Sequence, residues 1–531
     1  MILQRIGNKG IRLGTLFERA ARKHPTNVLI LDHDLDIAPA LGRRATVPEV
    51  ADLVDDFASR LWAAEVRPGR RVVVYKSDGF DITLLACAAA RIGAVPVLLS
   101  PKLDGATAAE LVRRTDRPFL LTDQEKLEKE LPASVFERAA GVLLTSGSHE
   151  GATELASLAD CPRVPAVDMP PEHPTLITHT SGTTGTPKLA VHTSRTLQAR
   201  YRPQAAITRP LLTGRETIAM HVSFVHSRLM TALAISLLRG YPVVVLADSD
   251  PRRAADLFAR VRPGILEAHP NSFMEWEELA DDPRRPLANV KLFSSTFDAI
   301  HPRTVQRLLS ASRRTAPVFG QLYGQSEVGP AVVRSFSRRR GLEADGRCVG
   351  MPFPGMTDVR VVSRNGLPPS ETNPGFIEVR SDGRIVTYLG EQERYDAQVN
   401  DGWWRMGDVG YRTRWGCVHL LDREVDLIEG FGSTLAAEDT LFSRIGELTE
   451  VIIIPDADGR AVPVVCTRDD KPLDERTWRT ATAGLPPMAA PVQWRQRDLP
   501  QTATTKIKRL ELARLLASGA GDGARTAEEK V

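Results

Sequence analysis

Apolar residues recur along this chain at two periods that alternate for most of its length. In the first 64 residues, LFERAARK and VPEVADLVDDFASRLWAA place apolar side chains three and four apart, as amphipathic helices do, on either side of the short run NVLILD. RVVVY and AVPVLLS then flank an alanine-rich helical stretch over 83–92, and two continuously apolar strands around a helix make a βαβ unit. A helix over 106–115 and strands at 119–122 and 141–146 extend it into a mostly parallel, doubly wound sheet. After the proline-studded stretch 161–174 the alternation resumes: ETIAMHVSF, a helix over 227–238, VVVLA, a helix over 252–261, then GILEAHP and VKLFSST. A helix over 301–314 leads into short Gly- and Pro-rich strands over 335–420, which predict a small β-barrel. Strands at 451–455 and 462–467 with the end segment KIKRLELARLLASG predict a separate α+β unit.

The expected fold class is therefore α/β. A large N-terminal domain (1–421) comprises two doubly wound subdomains (1–165 and 166–334) and the barrel (335–421). A small α+β domain follows (422–517), then a polar tail expected to be disordered (518–531).

Composition narrows the chemistry by exclusion. Among 531 residues, 69 Lys and Arg against 66 Asp and Glu leave a net charge of +3, which gives no reason to expect a nucleic acid or membrane partner, so any anion site is local. The five cysteines are scattered and odd in number, which argues against a disulfide framework or zinc site and favours a cytoplasmic protein. MILQRIGNKGIRLG lacks the apolar core of a signal peptide, and no run reaches the roughly 18 apolar residues of a spanning helix.

One segment concentrates candidate chemistry. TSGTTGTPK, residues 180–188, lies between the apolar runs TLIT and KLAV, as the tip of a hairpin would. Gly182 and Gly185 let backbone N–H groups approach an anion, Thr180, Ser181, Thr183, Thr184 and Thr186 add hydroxyls, and Lys188 adds a point charge. The segment is no Walker loop, because Pro187 precedes the lysine and a strand follows it. Ser194 is placed to cap the next helix. Read alone, such a cluster is more often an ordinary loop than a phosphate clamp.

Together with YGQSE at 323–327, the segment resembles a motif of the adenylate-forming superfamily of acyl- and aryl-coenzyme A synthetases, luciferases and peptide-synthetase adenylation domains. GWWRMGDVGYRTRWG (402–416), LLDREVDLI (420–428) and LPQTATTKIKR (499–509) follow in the family's order. The resemblance implies a mobile C-terminal lid and in-line attack of a carboxylate on the α-phosphorus of ATP, with pyrophosphate leaving, a step catalysed by positioning and charge neutralisation. By the same resemblance, the 180–188 loop holds the leaving phosphates and Glu327 binds Mg2+. Ser326 reaches the α-phosphate, Tyr323 lies beside adenine, Asp408 and Arg423 hold the ribose, and Lys506 bridges substrate and α-phosphate. His226 borders the acyl pocket as a catalytic candidate. Arg228 reads either as a surface arginine or as a group meeting a polar part of the substrate. Val222, Phe224, Leu229, Met230 and Phe297 suggest a medium apolar or aryl acid, or core residues.

Several positions depart from the family pattern. Ser294-Ser295-Thr296 replaces a glycine pair, Val425 stands at the usual pivot for domain rotation, Met406 and Thr505 replace a threonine and a glycine, and GFGSTLAAED only loosely matches the thiol-side segment. The leading expectation is transfer of the adenylated acyl group to a thiol, either coenzyme A or the phosphopantetheine of an acyl carrier protein. The alternatives are an AMP-activated intermediate passed to a nitrogen or other non-thiol acceptor, and a non-catalytic nucleotide-binding protein.

Overall fold

The computed structural model describes residues 10–180, 186–212, 214–296, 300–338, 347–501 and 507–518. An eight-stranded sheet runs in the spatial order Thr387–Tyr388, Leu189–Thr193, Pro174–His179, Val95–Leu98, Arg71–Val74, Phe119–Thr122, Gly141–Leu144, Thr153–Glu154. Val72 to Val74, Val97, Leu98, Leu120 and Leu121 have virtually no exposed surface, because helices cover both faces of these parallel strands. The expected hairpin is present, with Ile177 opposite Val191 and Thr178 opposite Ala190. The helix Ser194–Leu211 that follows is capped by Thr193, whose hydroxyl accepts the Thr196 N–H at 3.2 Å, rather than by Ser194, which is its first residue.

The second sheet carries parallel strands Val243–Val245, Ile218–His221, Ile265–Ala268, Leu292–Ser295 and Val318–Gln325. Its edge comes from far upstream: Val28–Leu31 pairs in parallel with Val243–Val245, and Arg44–Thr46 closes that edge antiparallel. The division expected near residue 165 is thus crossed twice, since the hairpin Pro174–Thr193 completes the first sheet and residues 28–46 complete the second.

The strands after 347 form no closed barrel among the described residues. They extend the second sheet antiparallel, in the order Gly329–Ser337, Cys348–Pro352, Val418–Arg423, Trp403–Arg412, Gly375–Ser381, Thr357–Val362. Closure would need a free edge on Gly329–Ser337, and both its edges are taken, by Val318–Gln325 and by Cys348–Pro352.

Two smaller cores, one around Ile453 and Val465 and the other around Ile452 and Leu512, are built only from residues 428–516, on a three-stranded sheet. Their junction with the large sheet holds Asp422, 2% exposed, which accepts hydrogen bonds from the Thr434 N–H at 3.1 Å and from the Thr434 hydroxyl. Burial pushes the Asp422 carboxyl up to about 7; the Thr434 bonds and Arg509 oppose that shift, and Glu438 adds to it. The native state therefore holds a proton here that the unfolded chain has released. This contribution is present at acid pH and lost as pH rises through about 7. Melting at pH 5 and pH 8 should show a loss of about 2–3 kcal/mol, and Asp422→Asn should flatten that slope; an unchanged slope in the variant would assign the proton elsewhere.

Candidate active site

A cavity of about 480 Å³ opens where the two sheets present their chain ends: the neck of the 180–188 hairpin, the start of the helix Ser227–Leu238, Thr296, the 322–327 segment and the turn 423–425 all line it. Crevices of this kind, at the carboxyl ends of parallel strands, are where open α/β sheets bind ligands.

The hairpin neck is closed by two bonds, Thr180 N–H to the Lys188 carbonyl at 2.9 Å and Lys188 N–H to the Thr180 hydroxyl at 3.1 Å. They aim Lys188 inward. Its Nζ lies 3.9 Å from Glu327 Oε1 and 4.5 Å from the centre of the Tyr388 ring, whose hydroxyl donates to the same carboxylate oxygen at 2.6 Å. Burial lowers the Lys188 pKa, and Glu327 offsets part of that. Glu327 supplies a single carboxylate, and no cluster of three metal-ligating side chains occurs among the described residues. That donor set suits Mg2+ carried on nucleotide phosphates, which keeps most of its ligands as phosphate oxygens and water.

Ser326 and Glu327 are held from behind by Arg200, a residue that sequence reasoning missed. Arg200 is 3% exposed and donates to the carbonyls of Gly383 (2.7 Å), Ser326 (2.8 Å) and Glu327 (2.9 Å) and to the Ser227 hydroxyl (2.9 Å). No local motif marks it, because its partners lie 27 to 183 residues away.

His226 caps the helix Ser227–Leu238: its Nδ1 accepts the Arg228 N–H at 3.0 Å. This assigns the ring proton to Nε2, which lies 3.3 Å from Ser326 Oγ. Burial and the nearby Arg200 charge push the His226 pKa down to about 3. The ring is neutral at working pH and faces Ser326 as a donor, not as a base. His179, also missed, lines the cavity and uses both ring nitrogens, accepting from the Ser100 N–H and donating to the Thr180 carbonyl.

Tyr323 donates to Asp408 at 2.6 Å, and Asp408 stands opposite Arg423 across an antiparallel pair, so these three candidates come together beside the cavity. Arg423, Glu424 and Val425 line it, with Val425 55% exposed.

Arg228 is no surface arginine. It is 8% exposed, lines the cavity, and forms a two-point ion pair with Glu267, Nε to Oε1 at 2.5 Å and Nη2 to Oε2 at 2.6 Å. Phe224 instead packs against His33 and Phe80 and borders a second cavity, while Val222, Leu229 and Met230 belong to the first core. Ser181, Gly182, Thr183, Thr184, Gly185, Phe297 and Lys506, and the tail after Ser518, lie outside the described residues.

A family model for AMP-binding enzymes matches residues 17–389. The chain is 49% identical to a 3-amino-2-hydroxy-4-methoxybenzoate diazotase of Streptomyces cremeus, over 97% of each chain. It is also 24% identical to a 3-aminoavenalumate diazotase of a Streptomyces species, over 87% of each. In fold it matches the o-succinylbenzoate coenzyme A synthetase of Bacillus subtilis solved with AMP, with a TM-score of 0.76 at 19% identity over 94% of this chain and 98% of that one.

Proposed function

The chain belongs to the AMP-binding enzyme family, and from that premise we propose that it activates a small oxyacid with ATP and passes the activated group to the nitrogen of an aryl amine. The carrying observation is the 49% identity over nearly the whole of a diazotase that acts on an aminohydroxybenzoate. It favours the nitrogen acceptor over the thiol expected first from the sequence, and the drift at Val425 and 430–439 agrees with it.

Diazotisation needs nitrite, an oxyanion that can stand where a carboxylate stands in the rest of the family. A nitrite oxygen attacks the α-phosphorus and the bond to pyrophosphate breaks, leaving a nitrosyl–AMP anhydride. The amine nitrogen attacks the nitroso nitrogen and AMP departs with the N–O bond electrons. The amine gives up one proton in that attack, the N-nitroso amine tautomerises to a diazohydroxide, and the diazohydroxide takes up a proton and loses water, giving the diazonium. The nitrite nitrogen supplies the oxidising equivalents, so no further oxidant is required.

In this reading Lys188 neutralises charge on the leaving phosphates, and Glu327 holds Mg2+, which screens phosphate charge when bound. Ser326, oriented by the neutral His226, donates to an α-phosphate oxygen. Tyr323, Asp408 and Arg423 hold the nucleoside, and Lys506 completes the charge neutralisation. The lid role of residues 422–517 belongs to the same proposal.

The test is incubation with ATP, Mg2+, 15N-nitrite and 3-amino-2-hydroxy-4-methoxybenzoate, followed by mass spectrometry. The expected product is a diazo compound carrying one 15N, formed with stoichiometric AMP and pyrophosphate. An aryl-coenzyme A thioester formed on adding coenzyme A, with no labelled diazo product, would return the thiol reading to first place.

A further inference from the structure

Arg228 carries one donor that the fold does not use. Its Nε and Nη2 are engaged by Glu267, whereas Nη1 is buried without a hydrogen-bond partner among the described residues. A planar guanidinium presents separate edges, and a carboxylate on the Nε–Nη2 edge fixes the plane while leaving the Nη1 end for a second acceptor. The Thr296 hydroxyl is also buried without a partner among the described residues and lines the same cavity. Buried donors left unmade cost stability, and native structures keep few of them without a ligand, water or function to complete them. The cavity lining favours an anion: one lysine and five arginines line it with two glutamates, and of those arginines Arg228 and Arg394 are paired with Glu267 and Glu391 behind the lining.

We propose that Arg228, fixed by Glu267 and assisted by Thr296, anchors the carboxylate of the aryl amine. The carboxylate is then a recognition group that emerges from the reaction unaltered, and the oxyanion that attacks phosphorus is a different, smaller one. This deepens the proposed function and rests on it for the identity of the amine. It also replaces the expected apolar pocket with a polar one, in the cavity that Arg228 lines together with Lys188 and Glu327.

The experiment measures binding by calorimetry without ATP or nitrite, so it reads the anchor whether or not a diazo product ever forms. The probes are 3-amino-2-hydroxy-4-methoxybenzoate and its counterpart lacking the carboxyl group, 2-amino-3-methoxyphenol. The unaltered protein should prefer the acid by about 30-fold or more. Arg228→Gln should weaken the acid by about 100-fold and the phenol by less than about 3-fold. Should the buried Glu267 left behind unfold that variant, the apolar double replacement Arg228→Leu with Glu267→Leu removes both charges together and should show the same selective loss. Equal binding of the two compounds by the unaltered protein, or a loss shared equally by both compounds in the variants, overturns the proposal and leaves the pair a purely structural one.

Discussion

In the proposed reaction, Glu327→Gln is expected to slow nitrite- and amine-dependent pyrophosphate release by about 10³-fold while leaving the fold intact. The amide keeps an oxygen to accept the Tyr388 hydroxyl, so the buried bond at 2.6 Å survives the change. What disappears is the negative charge. Without it no carboxylate remains at that position for a divalent cation, and Lys188 loses the partner that offsets its burial, so its pKa falls further. The rate of the variant should therefore decline at a lower pH than that of the unaltered enzyme as pH rises. A pyrophosphate-release assay across pH 6 to 9, with the melting temperature as control, reads both effects, and a variant keeping a tenth of the activity would remove Glu327 from the phosphate chemistry.

Arg200→Met should be the most damaging change that touches no reactant. It strips donors from three carbonyls, two of them buried, and one hydroxyl. Truncating a buried charged donor typically costs about 3–5 kcal/mol. Turnover should fall about 100-fold, because Ser326 and Glu327 lose the brace that sets their backbone. A readout specific to positioning is available in His226. The Arg200 charge helps hold its pKa near 3, so the variant should move that pKa upward, visibly in the ring-proton shifts of His226 during an NMR titration. A stability loss with no shift at His226 would limit Arg200 to a structural part.

The legible parts of this protein were those whose partners are close in sequence or share a period. The βαβ alternation, the strand pair Pro174–His179 and Leu189–Thr193 and the helix at Ser227 all follow from local spacing, and the structure has each of them. The sequence leaves Arg228 open between a surface arginine and a substrate contact, because its ion-pair partner Glu267 lies 39 positions away on another strand and has no motif of its own. Arg200 stayed invisible for the same reason. The barrel expectation failed on an edge-counting fact: strand-like segments declare themselves in sequence, but which edges are already occupied does not. The apolar residues at 222–230 are genuine hydrophobicity: Leu229 and Met230 sit in the first core, and Val222 and Phe224 sit there while also bordering the second cavity, uses that only burial separates.

The strand pair that opens the chain has a consequence in time. The edge of Val28–Leu31 not taken by Arg44–Thr46 finds its neighbour only when Val243–Val245 exists, so about 200 residues must be made first. At ribosomal speeds of roughly 5–20 residues per second that interval is about 10–40 s. Throughout it, the first sheet can begin to assemble from residues 71–144, whereas Val28–Leu31, with Arg44–Thr46 on one side, keeps its other edge unpaired. Deleting the first 46 residues would accordingly leave the first sheet its strands and bare the flank of Val243–Val245, all three of whose side chains are buried in the intact protein. An N-terminally shortened form is thus destined for self-association through its second sheet, and the start of this chain serves as the late-arriving seal on a sheet encoded two hundred residues downstream.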